Sequence, residues 1–250
     1  MSEKIISAEN LTKTYVSKAE ELTVLRGTSF EIHKGDIVCL LGISGSGKTT
    51  VLNIIAGLDV PSSGRVLYSG ANIGEWTLNE LYDFRLHEIG FIFQEFYLLE
   101  HLTALENVMV PMILAEKTED EAQERALELL AQVGLRRKAM NNPEELSSGE
   151  RQRVCIARAI ANHPSILIAD EPTGTLDSKT GDEIMSLLLN MAQLRQMTVI
   201  YTTHDPYVTK LATRIFLIQN GLVVENGQSG FDNIEFDETS FKYKFKGDKT

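Results

Sequence analysis

Residues Gly42-Ile43-Ser44-Gly45-Ser46-Gly47-Lys48-Thr49 meet every fixed position of the pattern G-x-x-x-x-G-K-[ST]. The pattern functions only between a strand and a helix, and the flanks supply both. Asp36 to Leu41 is an apolar run of strand length, and Thr50 to Ala56 is helix-compatible and ends at Gly57. Glycines at 42, 45 and 47 permit backbone angles and close approaches that a Cβ would block, so successive N–H groups can converge on phosphate oxygens at a helix N-terminus. Lys48 adds a mobile positive charge for the β and γ phosphates. Thr49 offers a hydroxyl to Mg²⁺, a cation that keeps several waters and takes few protein ligands.

Upstream of the loop, Ile5–Glu9, Leu22–Leu25 and Thr28–Ile32 read as strands, and Tyr15 falls between two of them. Tyr15 reads in two ways: as an aromatic face that stacks on a nucleotide base, or as an ordinary packing residue. Downstream, Arg65–Tyr68 reads as a strand between turns, Leu78–His87 as a helix with Thr77 as its N-cap, and Gly90–Gln94 as a strand that ends on a polar side chain. From about residue 95 to residue 163 Leu, Ala, Glu and Arg dominate and strand signals nearly vanish, which predicts a helical insertion. Its clearest helix spans Glu119–Val133, with Ala122, Ala126, Leu129, Leu130 and Val133 on one stripe and a charged, solvated face opposite.

Beyond the insertion, Ser165–Glu171 is an apolar strand that ends in two carboxylates. Alone, Asp170-Glu171 would be a polar strand end. Paired with the loop at 42–49, it is where a phosphate-loop ATPase carries a Mg²⁺-linked acid, with Asp170 holding the metal through water and Glu171 polarising the attacking water. Gly181–Arg195 then reads as a helix and Met197–Thr202 as a strand, with His204 at its C-terminal end, the side of an open α/β sheet where ligands bind. A lone histidine there has a structural reading as well as a catalytic one.

The formal charge of −11 argues against a general nucleic-acid binder, since affinity for a phosphate backbone rests on clustered Lys and Arg. Cys39 and Cys155 lie in apolar segments and read as small core residues in a reducing compartment. The first residues lack the pattern of a secretory signal, and no apolar run approaches the ~20 residues that span a bilayer. These features predict a cytosolic protein whose membrane association goes through a partner.

Separated segments together resemble the nucleotide-binding subunits of ATP-binding cassette (ABC) transporters over roughly residues 5–227. Gly42–Thr49 resembles the Walker A loop and Gln94 the Q-loop. Leu146-Ser147-Ser148-Gly149-Glu150 resembles the signature, Ile166–Glu171 Walker B, Gly174–Asp177 the D-loop and His204 the switch histidine. The resemblance implies an α/β fold: a phosphate-loop NTPase core of ABC ATPase type with an antiparallel β subdomain and the inserted helical subdomain. It implies a homodimer that closes around two ATP, hydrolyses them and drives an integral membrane permease from the cytoplasmic face of the cell membrane. Carried over residue by residue, it implies nucleotide contacts from Tyr15, Gly42, Ser44, Gly45, Ser46, Gly47, Lys48, Thr49 and Thr50, with Ser147, Gly149, Glu150 and Asp177 supplied around the subunit boundary. It further implies Mg²⁺ held by Thr49, Gln94 and Asp170, and catalysis by Glu171, His204 and Gln94.

Within that family, the runs Phe91–Leu99, Leu102–Val108 and Asp170–Gly174 look like the lipoprotein-release and macrolide-export branch. Phe96, Tyr97, Leu98, Leu99 and Leu102 are expected to present an apolar groove to a permease helix. The family usually has Gly where this chain has Ser148, which is harmless if that position is helical and damaging if it needs positive φ. The tail, 228–250, departs from the branch: its run Phe241–Lys246 alternates aromatic and basic residues, and it is expected to pair with Ile234–Phe236, touch membrane or permease, or stay disordered. Two rival functions stay open: an FtsE-like ATPase that regulates a membrane protein without moving solute, and a soluble ABC ATPase of iron–sulfur assembly.

Overall fold

A computed structural model describes residues 3–17, 21–225, 234–237 and 242–245. The chain divides into two compact units, Met1–Leu81 with Ile200–Thr250 and Tyr82–Val199.

In the first unit, β1 (Lys4–Val16) and β2 (Glu21–His33) are long antiparallel partners; β4 (Ser63–Tyr68) flanks β1 on its other side and β5 (Ala71–Asn72) closes the order β2-β1-β4-β5. Tyr15 therefore lies within β1 and not between two strands. The pairing register of β1 shifts between Ala8 and Leu11, around Asn10 at φ 50°, so the alternation of side chains breaks in mid-strand and one long strand reads as pieces. β3 (Ile37–Leu41) is buried along its whole length and leads through the glycine loop into α1 (Lys48–Ile55). Parallel to β3 runs β9 (Arg214–Gln219), in register Val38 to Arg214 through Leu41 to Leu217. β9 turns back into β10 (Leu222–Glu225) through Asn220-Gly221, both at positive φ, as a tight two-residue hairpin requires. The strand order is β10-β9-β3-β8, with β8 at Thr198–Thr203, where the division between units falls.

In the second unit β7 (Ile166–Ala169) and β6 (Ile89–Ile92) are parallel neighbours, with Ile89 opposite Ile166 and Ile92 opposite Ala169. β6 follows α2 (Leu78–His87), whose first turn carries the expected Thr77 cap: the Thr77 hydroxyl accepts from the Glu80 N–H at 3.3 Å. The helices α3 (Ala104–Leu114), α4 (Glu119–Gln132) and α5 (Ser148–Ala159) pack on one another, and α6 (Ser178–Leu194) packs on α5. Ala122, Ala126, Leu129, Leu130 and Val133 are all buried, as the periodicity of α4 demands. β7 and β8 are buried throughout; β7 is accordingly a continuous apolar run, whereas β8 carries Thr198, Thr202 and Thr203 buried beside its apolar residues.

Both cysteines are buried; burial pushes the Cys39 thiol up to about 12 and that of Cys155 up to about 11, so neither is a reactive thiolate. In the tail, β11 (Ile234–Asp237) pairs antiparallel with β12 (Lys242–Phe245). The remainder of 228–250, including Phe241 and Lys246 of the alternating run, lies outside the described residues, as does Gly227.

Candidate functional site

In the first unit the loop from Gly42 to Gly47 joins the C-terminal end of a buried strand to the first turn of α1. Gly47 is the residue before the helix, at φ 103°, and Gly45 stands at φ 76°, so the loop is built from left-handed turns that a side chain would strain. Space matters as well: a Cβ on Gly42 would come to 2.5 Å from both Ile218 Cγ2 and Ser46 Oγ. Lys48 is only 5% exposed, and its ammonium donates to the carbonyls of Gly42 at 2.9 Å and Ile43 at 3.2 Å. The cation is thus folded back over the loop. Ser46 Oγ is buried with no hydrogen-bond partner, an unsatisfied polar atom inside a loop shaped for an anion. Thr49 is exposed at the first turn, Thr50 half-buried beside it, and Ser44 exposed in the loop.

Tyr15 is 42% exposed and reaches this region by its hydroxyl, which donates to Asp59 Oδ2 at 3.0 Å and stands 3.5 Å from Thr50 Oγ1. His204 is exposed, immediately after the last residue of β8.

The second unit holds the acids and the signature. Asp170 is 5% exposed, and its N–H donates to the Ile92 carbonyl at 2.8 Å, which continues the β6–β7 ladder one step past the strands. Glu171 follows at φ 43°, and its carbonyl accepts from Gly174 N at 2.9 Å. Gln94 is exposed, two residues past the end of β6, whereas the sequence reading ends the strand on it. Pairing with β7 stops at Ile92, so Phe93 and Gln94 belong to the loop. Gln94 and the two acids nonetheless follow the C-terminal ends of neighbouring strands.

Ser147 caps α5: its hydroxyl accepts from Glu150 N at 3.3 Å while the Glu150 carboxylate accepts from Ser147 N at 3.0 Å. Lys138 is 2.7 Å from Glu150, and that hydrogen bond, with the one from Ser147, holds the Glu150 carboxyl below the usual range. Ser148 is the first helical residue and is not among those with positive φ. Gly149 faces α6 so closely that a Cβ would lie 2.8 Å from Thr180 Cγ2. Asp177 caps α6, accepting from Thr180 N at 3.1 Å, and its hydrogen bonds with the Thr180 side chain and N–H lower its pKa. Gln152, buried in α5, donates to the Pro172 carbonyl at 2.8 Å, tying the signature helix to the segment just past the acids.

The expected groove after Gln94 holds in part. Tyr97 is 66% and Leu99 40% exposed, with Phe96 and Leu102 half-buried, but Leu98 is 7% exposed and belongs to the core. Tyr97 stands at φ 42°, and Leu98 is buried between two exposed neighbours, Tyr97 and Leu99. Residues of α5 secure this segment from behind: Arg158 donates to the Tyr97 carbonyl at 2.6 Å and the Phe96 carbonyl at 2.9 Å, and Arg151 lies 4.9 Å over the Phe96 ring. Buried Asn107 accepts from Leu99 N and donates to the carbonyls of Leu99, Leu102 and Thr103. Sequence reasoning missed these supports. Only the three-dimensional approach of distant segments reveals them.

A strand–glycine loop–helix with a lysine folded over the loop, and a later strand that leads into Asp-Glu, define a phosphate-loop nucleotide hydrolase. The model of the family described as ABC transporter matches residues 25–174. The chain is 38% identical over 223 residues to the lipoprotein-releasing system ATP-binding protein LolD of Idiomarina loihiensis, covering 89% of this chain and 98% of LolD. It is 42% identical over 224 residues to the macrolide export ATP-binding/permease protein MacB of Vibrio parahaemolyticus, covering 90% of this chain. It spans about a third (34%) of MacB's length. Among solved structures, the dimeric post-hydrolysis state of the ATP-binding cassette MJ0796 bound to ADP and Pi superposes with a TM-score of 0.83 at 41% identity, covering 90% of this chain and all (100%) of that one. The chain belongs to the ABC transporter family. It is an ATP-binding cassette with the ABC ATPase fold, of the type found in LolD and MacB.

Proposed function

We propose that this cassette works as a homodimer closed around two ATP molecules, at the cytoplasmic face of a membrane, and drives a permease of the lipoprotein-release or macrolide-export type. The observation that carries the reading is that the chain builds two helix N-termini fit for anions, α1 behind the glycine loop and α5 behind Ser147, with unlike construction. One chain's α1 and its partner's α5 would then grip the same triphosphate, which makes nucleotide the adhesive of the dimer.

In this reading residues 1–227 form the ATPase domain, 95–163 its inserted helical subdomain and 228–250 a tail. Gly42, Ser44, Gly45, Ser46 and Gly47 cradle phosphates, Lys48 neutralises the β and γ groups, and Thr50 lies alongside. Tyr15 takes the base. Ser147, Gly149, Glu150 and Asp177 serve the opposing subunit. The hydroxyl of Thr49, the amide of Gln94 and the carboxylate of Asp170 are hard oxygen donors that suit Mg²⁺, which when bound neutralises phosphate charge. Glu171 accepts the proton of the attacking water, and His204 and Gln94 register the γ-phosphate. Phe96, Tyr97, Leu99 and Leu102 face the permease, with Leu98 supporting them from below.

Glu171→Gln removes the base but leaves binding intact, so hydrolysis is expected to fall about 10²–10⁴-fold. With ATP and Mg²⁺ the variant then accumulates as a dimer by light scattering; a species that stays monomeric at saturating ATP sinks the sandwich. A double substitution, Phe96→Glu with Leu99→Glu, is expected to abolish co-purification of a permease in mild detergent while nucleotide affinity stays unchanged. Undiminished co-purification would move the docking surface elsewhere.

A further inference from the structure

Tyr15 does not stand alone in β1. Two residues earlier on the same strand, Lys13 is buried to 8% exposure, which is unusual for a lysine and calls for partners. Its ammonium is 2.6 Å from Asp59 Oδ1, donates to the Val60 carbonyl at 2.7 Å, and lies 4.9 Å from the centroid of the Tyr15 ring, over the ring. Asp59 uses its other oxygen, Oδ2, to accept the Tyr15 hydroxyl at 3.0 Å. One carboxylate therefore joins the charge that lies over the ring to the hydroxyl at the ring's far end.

Asp59 is itself tied to the end of α1. The turn after α1 is closed by the N–H groups of Leu58 and Asp59, both donating to the Asn53 carbonyl, at 2.8 and 3.1 Å. At the other end of α1, Thr50 Oγ1 stands 3.5 Å from the Tyr15 hydroxyl. β1 is stitched to the same turn: Ser62 N donates to the Thr12 carbonyl at 2.8 Å, and Thr14 N donates to Ser62 Oγ at 3.0 Å. A tyrosine that only filled space would need none of this. Its ring plane and hydroxyl are fixed relative to α1, the helix proposed to hold phosphate at its N-terminus.

We infer that the Lys13–Asp59 pair is a positioning device, setting the Tyr15 ring at a fixed distance and tilt from the phosphate loop so that the base of a bound nucleotide meets it face-on. The inference rests on the proposed stacking role of Tyr15. Lys13 occupies one side of the ring and polarises it, leaving the other side for the base. Burial alone would push the Asp59 carboxyl up, yet its hydrogen bonds with Lys13, Val60 N–H and Tyr15 hold it below the usual range, so the carboxylate stays charged at neutral pH. Asp59 and Lys13 touch no phosphate in this scheme. They act through Tyr15.

The test measures binding of two probes to the full chain by calorimetry: ATP, which has a base, and inorganic tripolyphosphate, which has none. Tyr15→Ala is expected to weaken ATP by about 5–150-fold, the range that loss of a base stack gives, and to leave tripolyphosphate unchanged. Asp59→Ala and, independently, Lys13→Met are expected to weaken ATP by about three- to tenfold, again sparing tripolyphosphate, because the ring remains but loses its setting. In a Tyr15→Ala background, Asp59→Ala should add nothing. If Tyr15→Ala leaves ATP affinity unaltered, the stacking role falls and the positioning role with it. If Tyr15→Ala weakens ATP but Asp59→Ala and Lys13→Met do not, only the positioning role falls. Equal weakening of ATP and tripolyphosphate by Asp59→Ala would make the pair a support of the phosphate loop and overturn the inference.

Discussion

Glu171 stands at φ 43°, two residues beyond a strand whose every residue is buried, and that backbone angle is costly for any residue with a Cβ. The cost is local and can be isolated by comparing two substitutions that both delete the carboxylate. Glu171→Gly relieves the left-handed strain, whereas Glu171→Ala retains it, so the glycine variant is expected to be the more stable by about 1 kcal/mol in urea unfolding. Both would be inactive. Equal stabilities would mean that the backbone there relaxes once the side chain is gone. The identity of Glu171 was legible in the sequence because an apolar run followed by Asp-Glu marks a strand end; its dihedral was not, since nothing local demands it. For the loop glycines legibility ran the other way: Gly47 at φ 103° is a residue type chosen by its backbone, and the pattern itself announces it.

Helix starts are where sequence and element meet most openly. Thr77 with Glu80, Thr103 with Glu106, Thr118 with Glu121 and Ser147 with Glu150 all repeat one device, a hydroxyl that accepts from the N–H three residues on and a carboxylate that reaches back. Each carboxyl is held below its usual range: by the bonds to its own cap at Glu80, Glu106 and Glu121, and first by Lys138 at Glu150. The sign follows from the lowered folded values. The stabilisation is fully present above the unfolded glutamate pKa of about 4.3 and is lost as pH falls through the lower folded pKa values. Replacing all four glutamates by Gln should therefore flatten the loss of helical circular dichroism and of melting temperature between about pH 5 and pH 3. An unchanged acid limb would assign acid unfolding to other carboxylates. The spacing Ser/Thr-x-x-Glu makes these caps readable in a sequence, although only the Thr77 cap was read from it. The clamp of Arg158 on the Phe96 and Tyr97 carbonyls leaves no such trace, because its partners are 62 and 61 residues away and are backbone atoms.

Across the whole molecule, the segments that bear on nucleotide chemistry are short, and the packing that steadies them comes from residues far along the chain. The signature shows what that means for assembly. Ser148 departs from the family's usual glycine, yet Ser147 already occupies the extended N-cap position at φ −63°, ψ 164°, and Ser148 begins the helix. Positive φ is not demanded there, so a side chain fits the start of the helix. Gly149, one residue on, meets α6 with no room for a Cβ: the Thr180 methyl would be 2.8 Å away, and Thr180 is the residue whose N–H the Asp177 cap engages. Adding a methyl at 149 therefore pushes on the first turn of α6 and displaces Asp177 together with the α5 N-terminus. In a Glu171→Gln background, Ser148→Gly is expected to leave the ATP concentration for half-maximal dimerisation within about twofold, a difference of about 0.4 kcal/mol. Gly149→Ala is expected to raise it by about tenfold or more, about 1.4 kcal/mol, with monomer ATP affinity unchanged because the α1 loop is untouched. Light scattering across an ATP titration reads the first quantity, and calorimetry on a monomer held at low protein concentration reads the second. A large gain from Ser148→Gly would show that this position needs glycine's backbone in the closed dimer; a neutral Gly149→Ala would show that α6 yields at no cost to assembly.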